Sequence, residues 1–202
     1  FEVDTLCGPV DPDQVNADFA EAFSRTWRGD AENDGFNRLV LAAGLSWRQV
    51  AVLRALCKYL LQVGTPFSQS YIEATLLRYP LLAALIDQHF QTRFDPVLAG
   101  AKGGKALAML PTGLVQAAAA DSAASSAVAT IGKAATRAAR SEAVRAALNA
   151  QLEQVASLDE DRILRAFIAV IDATLRTSFY REYTDGLRAD GGPADYISFK
   201  ID

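Results

Sequence analysis

The sequence holds few of the side chains on which reactive sites are usually built. It has one histidine, His89, and two cysteines, Cys7 and Cys57. Two thiols without framework spacing exclude a disulfide-stapled scaffold and a Cys-x-x-Cys metal site, and they fit a reducing compartment. No apolar run is long enough to cross a bilayer, and no signal-peptide pattern opens the chain, so the expected location is cytoplasmic. There is no excess of positive charge: 20 basic residues face 24 acidic ones, for a net charge of −4. That balance argues against nucleic acid or an anionic membrane as the main partner. Gly-x-Ser-x-Gly and His-Glu-x-x-His are also absent.

What remains is an apolar chain, half of it hydrophobic, with helical periodicity through most of its 202 residues. Asp11, Pro12 and Gln14 mark a first helix, with Val10 and Val15 spaced as a staple. Val15, Phe19, Ala22, Phe23 and Trp27 give it one apolar stripe, and Gly29 ends it. A second helix is expected from about Asp30 to Ala43, stopped by Gly44. Ser46 and Gln49 form a capping box for a third, with Leu45 and Val50 as its staple. That third helix is apolar nearly all round, with only Arg54, Lys58 and Gln62 as a polar stripe. It is therefore expected either at the centre of the core or in an interface, with Leu56 and Tyr59 on the docking side. A fourth helix opens at "SQSYIE", Pro80 breaks it from a fifth, and Asp95 and Pro96 mark the next boundary.

The ends alternate apolar and polar residues, as strands do. "FEVDTL" opens the chain without an initiator Met, and "YISFKID" closes it with Ile197, Phe199 and Ile201 on one face. The expected fold class is all-α, a multi-helix bundle with short β-strands at the two chain ends. Three parts are legible: 1–99, a strand and about five helices; 100–140, an Ala- and Gly-rich variable insertion or linker, loosely packed and locally basic through Lys102, Lys105, Lys133, Arg137 and Arg140; and 141–202, helical with a terminal strand. Together they read as one helical domain excised from a longer chain.

Four stretches invite a chemical reading. In "SLDEDRILRAF", Asp159, Glu160 and Asp161 are consecutive carboxylates. Ser157 and Glu160 have capping-box spacing, and first-turn carboxylates face the positive end of the helix dipole. Consecutive helical side chains point about 100° apart and do not converge on an ion. Asp161–Arg165 and Asp172–Arg176 are spaced as surface ion pairs, and Leu164, Phe167, Ile168, Ile171 and Leu175 form a buried stripe. His89, in an apolar helix, reads as structural rather than catalytic. "GAKGGKA" is one residue short of a phosphate loop and has Ala106 in place of the magnesium-binding hydroxyl. Residues 39–53 have the outline of a helix-turn-helix, with Arg48 and Gln49 facing bases, but Val40 and Val52 depart from its pattern. A helical interaction scaffold is the other non-enzymatic reading. No catalytic, cofactor-binding or metal residue is assigned.

Several stretches together resemble one family. They are "WRGDAENDGFNRLVLAAGLSWRQVAVLRALCKYLLQ", "PFSQSYIEATLL", "RFDP", "SLDEDRILRAF", "ATLRTSFY" and "ISFKID", in that order. They are similar to the large bacterial NAD-dependent glutamate dehydrogenases; Leu56 and Cys57 depart from the polar-aromatic pair expected before "KYL". The resemblance implies a helical, structural and linking segment just before the catalytic domain, with regulatory modules upstream. It implies NAD as cofactor of the parent enzyme, none in this segment, and a homo-oligomeric full-length oxidoreductase of amino-acid catabolism. It places no catalytic or NAD-contacting motif on this chain.

Overall fold

The computed structural model describes residues 12–100, 112–119, 121–181 and 196–202. Helix α1 spans Pro12–Trp27, a 3₁₀ turn Gly35–Arg38, α2 Leu39–Ala42, α3 Trp47–Gln62, α4 Gln69–Arg78, α5 Pro80–Phe94 and α6 Pro96–Gly100. Then come α7 Thr112–Ala118, α8 Ser122–Gly132, α9 Arg137–Leu152 and α10 Leu158–Ala173. Strand β1, Thr174–Thr177, pairs antiparallel with β2, Phe199–Ile201. The expected all-α bundle is thus observed, with a small ribbon formed by the residues after α10 and those at the chain's end. The expected strand at "FEVDTL", and Val10 and Asp11 at the first helix start, lie outside the described residues.

Local signals act where they were read. Ser46 Oγ accepts from the Gln49 amide and Gln49 Oε1 accepts from the Ser46 amide (2.7 Å), a complete capping box. Ser68 caps α4 through the Tyr71 amide. At the end of α3, Gly64 takes φ +87°, and Thr65 N–H reaches back to the Leu60 carbonyl at 3.1 Å, a turn that a residue with a Cβ enters poorly. The second helix is shorter than expected: Asp34 caps a single 3₁₀ turn by accepting from Phe36 N–H, and only Leu39–Ala42 is α-helical.

The centre of the core is α5. Leu82, Leu85, Ile86 and Phe90 are sealed, and so are its polar residues Asp87, Gln88, His89 and Thr92. Helix α3 takes the first of its two expected placements, the centre of the core: Val50, Val52, Leu53, Leu56, Cys57 and Leu60 are all buried, and Tyr59 is half-buried. Its polar stripe is only partly solvated: Lys58 and Gln62 are exposed. Arg54 is buried and forks onto Asp34, Nε to Oδ2 at 2.6 Å and Nη2 to Oδ1 at 2.8 Å. The described part of 100–140 contributes Leu114, Val128 and Ile131 to the same core, and α9 packs on both α5 and α8.

Two apolar stripes behave differently from expectation. That of α10 is buried at Leu164, Phe167 and Ile171, but it stops at Ala173. Thr174–Thr177 turns to strand, where β-branched residues fit, and Leu175 is exposed. That of α1, among its described side chains, buries only Ala22: Phe19, Phe23 and Trp27 are 39, 60 and 82% exposed, the last two stacked at 6.2 Å.

Candidate functional site

The polar chemistry concentrates where α10 and β1 meet the helices before them. At the start of α10, Ser157 Oγ accepts from the Glu160 amide at 3.4 Å. The Glu160 side chain does not complete the capping box. It turns inward, 3% exposed, and its carboxylate accepts from Tyr79 Oη (2.8 Å) and from Arg78. The hydrogen bond to Glu160, with burial adding to it, holds the Tyr79 phenol above its ordinary pKa. Asp159 reaches Arg162 at 3.6 Å and Asp161 forks with Arg165 at 2.8 Å. The three carboxylates of the sequence motif therefore have three separate sets of partners. Among the described residues no group of three His, Cys, Asp or Glu is placed to hold a metal ion.

At the other end of α10, Asp172 Oδ1 lies 2.9 Å from His89 Nε2 and accepts from Arg145 at 2.8 Å. The expected Asp172–Arg176 pair does not form, because Arg176 belongs to β1 rather than to a further helical turn. Burial lowers the His89 pKa, and the pull of Asp172 in the other direction does not overcome it. A carboxylate only accepts, so the Nε2 proton of a neutral imidazole points at Asp172. Nδ1 is then the free lone pair, and it is buried without a partner. This His–Asp pair has the look of an acid-base dyad but is walled in, with His89 2% exposed. The described cysteine offers it no nucleophile: Cys57 is sealed in the core, and burial pushes its thiol up to about 12, where the thiolate is scarce.

The helix-turn-helix reading is overturned by what Arg48 and Gln49 bind. Arg48 donates to the Phe179 carbonyl at 2.7 Å and lies over the Phe179 ring. Gln49 donates to Asp87 Oδ2 at 2.6 Å in addition to capping Ser46. Val52, on the face that would meet a groove, is fully buried. Asp87 itself is enclosed. Burial drives its pKa up to about 7 against the Gln91 and Gln49 hydrogen bonds that pull it down. Residues 101–106 of "GAKGGKA" lie outside the described residues. Sequence reasoning missed Arg78, Tyr79 and Arg145 altogether: each meets its partner across a large sequence separation, and no local pattern marks it.

Comparison with known proteins gives these contacts a frame. Residues 31–96 match the family model "Glutamate dehydrogenase, helical motif 3", and residues 147–202 match "Bacterial NAD-glutamate dehydrogenase, catalytic domain". The chain is 32% identical over 189 residues to the NAD-specific glutamate dehydrogenase of Halomonas elongata, an alignment covering 94% of this chain and 9% of the relative. It is 38% identical over 162 residues to that of Mycobacterium tuberculosis, covering 80% and 8%. It is 36% identical over 192 residues to that of Pseudomonas aeruginosa, covering 95% and 10%. The chain thus spans about a tenth of the length of these curated relatives, and the catalytic-domain match begins inside it, in α9.

Proposed function

The chain belongs to the NAD-specific glutamate dehydrogenase family, and from that premise we propose that it is the non-catalytic helical joint between that enzyme's last helical motif and the start of its catalytic domain. The observation that carries this reading is the placement of α10. It lies within the catalytic-domain match and packs on α3, α4 and α5 of the helical-motif match. Arg78 and Tyr79 hold Glu160, His89 holds Asp172, and Arg93 donates to the Asp172 and Thr174 carbonyls at 2.9 and 3.2 Å. A shared core makes the two segments one body, so the catalytic domain starts from a fixed platform rather than a hinge.

In this reading the parent enzyme oxidises L-glutamate with NAD and water to 2-oxoglutarate, ammonia and NADH, as a step of amino-acid catabolism in the cytoplasm. Among the described residues, no helix is long and apolar enough to cross a membrane. The residues here do not fit the dinucleotide. The sheet among them is one antiparallel pair, and the glycines at positive φ (Gly29, Gly44 and Gly64) follow helix ends rather than a strand, so among the described residues no loop is built to cradle a pyrophosphate. NAD is assigned to the rest of the parent chain. The partners of this segment are that remainder, regulatory modules upstream and, downstream, the rest of the catalytic domain, whose match starts within this chain, in a homo-oligomer. The exposed Phe23–Trp27 face of α1 supports a contact with the upstream part. Calorimetric titration of the chain with NAD is expected to give no saturable heat; saturable binding overturns the assignment. In the full-length enzyme, Leu164→Ala is expected to lower the yield of active protein and to leave KM for glutamate and NAD unchanged. A raised KM would put α10 in a binding site instead.

A further inference from the structure

The C-terminal ends of α5 and α10 meet β1 in an open cleft of about 360 Å³, a size within the range of ligand pockets. Four arginines line it: Arg93, Arg137, Arg176 and Arg181, with Phe94 and Tyr180 among the other walls. Two of the four are fixed in place. Arg93 donates to the carbonyls of Asp172 and Thr174, and Arg137 donates to those of Thr92 (2.6 Å) and Arg93. These acceptors are carbonyls in the last turns of α5 and α10 and, at Thr174, just past the end of α10, so they orient the guanidiniums but carry only partial negative charge. Among the described residues no carboxylate lines the cleft. Asp95, beside it, accepts from the Val97 amide at 2.8 Å, and Asp172 is committed to His89 and Arg145. Arg176 and Arg181 make no side-chain ion pair or hydrogen bond with the described residues. The Tyr180 hydroxyl is buried without a partner, and burial first, then Asp95 and Asp87, keeps it protonated, a donor at any ordinary pH.

Four cations around one concavity repel each other and are held there by the fold. An anion is what such a site accepts. We propose that the cleft binds a small organic anion, its carboxylate or phosphate groups held in the guanidinium forks of Arg176 and Arg181 and its body resting against Phe94 and Tyr180. Arg forks match both oxyanions bidentately. Arg93 and Phe94 fall in the helical-motif match and residues 175–181 in the catalytic-domain match. A bound anion therefore ties the two together and is suited to regulate the enzyme through this joint. The binding itself does not depend on which reaction the parent performs.

The test is calorimetric titration of the chain with succinate, inorganic phosphate and AMP, each alone. At least one is expected to bind saturably. Arg176→Gln and Arg181→Gln, both at exposed positions, are each expected to weaken that binding by about tenfold while leaving the melting temperature unchanged. Arg162→Gln, a charge change away from the cleft, is expected to leave it unaltered. Succinate alone binding identifies a dicarboxylate site, phosphate and AMP alone a phosphate site. If none of the three binds saturably, or if Arg162→Gln weakens binding as much as the cleft variants do, the proposal fails.

Discussion

Helices α1 and α10 make an instructive pair. Each has sixteen residues, each carries one stripe of large apolar side chains, and each opens with a signal legible in the sequence. Yet Phe167 of α10 is sealed while Trp27 of α1 is 82% exposed. A stripe states that a helix has a face to bury; it does not supply the surface that buries it. For α10 that surface is α3, α4 and α5, brought close by chain segments some eighty residues earlier. For α1 the described residues offer only the edge of α2 and α3, enough to cover Ala22.

If this contrast is energetic, substitutions on the two stripes must separate widely. Phe167→Ala empties a site in the middle of the core and is expected to destabilise the chain by about 3–5 kcal/mol in chemical denaturation. A loss below about 1 kcal/mol would mean that α10 is not held as described. Arg78→Met comes next. It leaves the buried Glu160 carboxylate with Tyr79 alone, for an expected loss of about 2 kcal/mol at neutral pH. Glu160→Gln is expected to cost less than Arg78→Met, since the exposed Arg78 then returns to water; equal losses would indicate packing rather than charge. Ser157→Ala removes a long cap bond and is expected to cost about 0.5–1 kcal/mol. Phe23→Ala, the counterpart of Phe167 on α1, is expected to change stability by no more than about 0.5 kcal/mol. Trp27 offers an optical check: its fluorescence in the folded chain should be quenched by acrylamide nearly as well as free indole, and strong protection would show the stripe to be covered.

The same pair shows what a sequence reveals and what it hides. Caps were legible because Ser46, Ser68 and Ser157 act on amides within three residues. Helix breaks at Gly29, Gly44 and Pro80 were legible because they follow from backbone sterics. The change of Thr174–Thr177 from helix to strand was not, since Leu164, Phe167, Ile171 and Leu175 continue a helical period beyond the helix. What ends it is pairing with Phe199–Ile201, more than twenty residues away. Glu160 was read as a cap because its local spacing is right, whereas its burial depends on Arg78 and Tyr79. The arginine cleft left no trace at all: residues 93, 137, 176 and 181 share no window, and only the fold gathers them. Family resemblance went further than spacing because it compares whole patterns, long-range consequences included.

The position of α10 also sets an order of events during synthesis. The core that α3, α4 and α5 begin cannot close until residues 158–173 have been made and have left the ribosome. From Phe94 to Ala173 is roughly 80 residues, which at about 5–20 residues per second is on the order of 4–16 s of translation. Through that interval α3, α4 and α5 lack the helix that later packs on them. The nascent chain thus passes through a long window of exposed apolar surface, and that window is a natural point of engagement for chaperones.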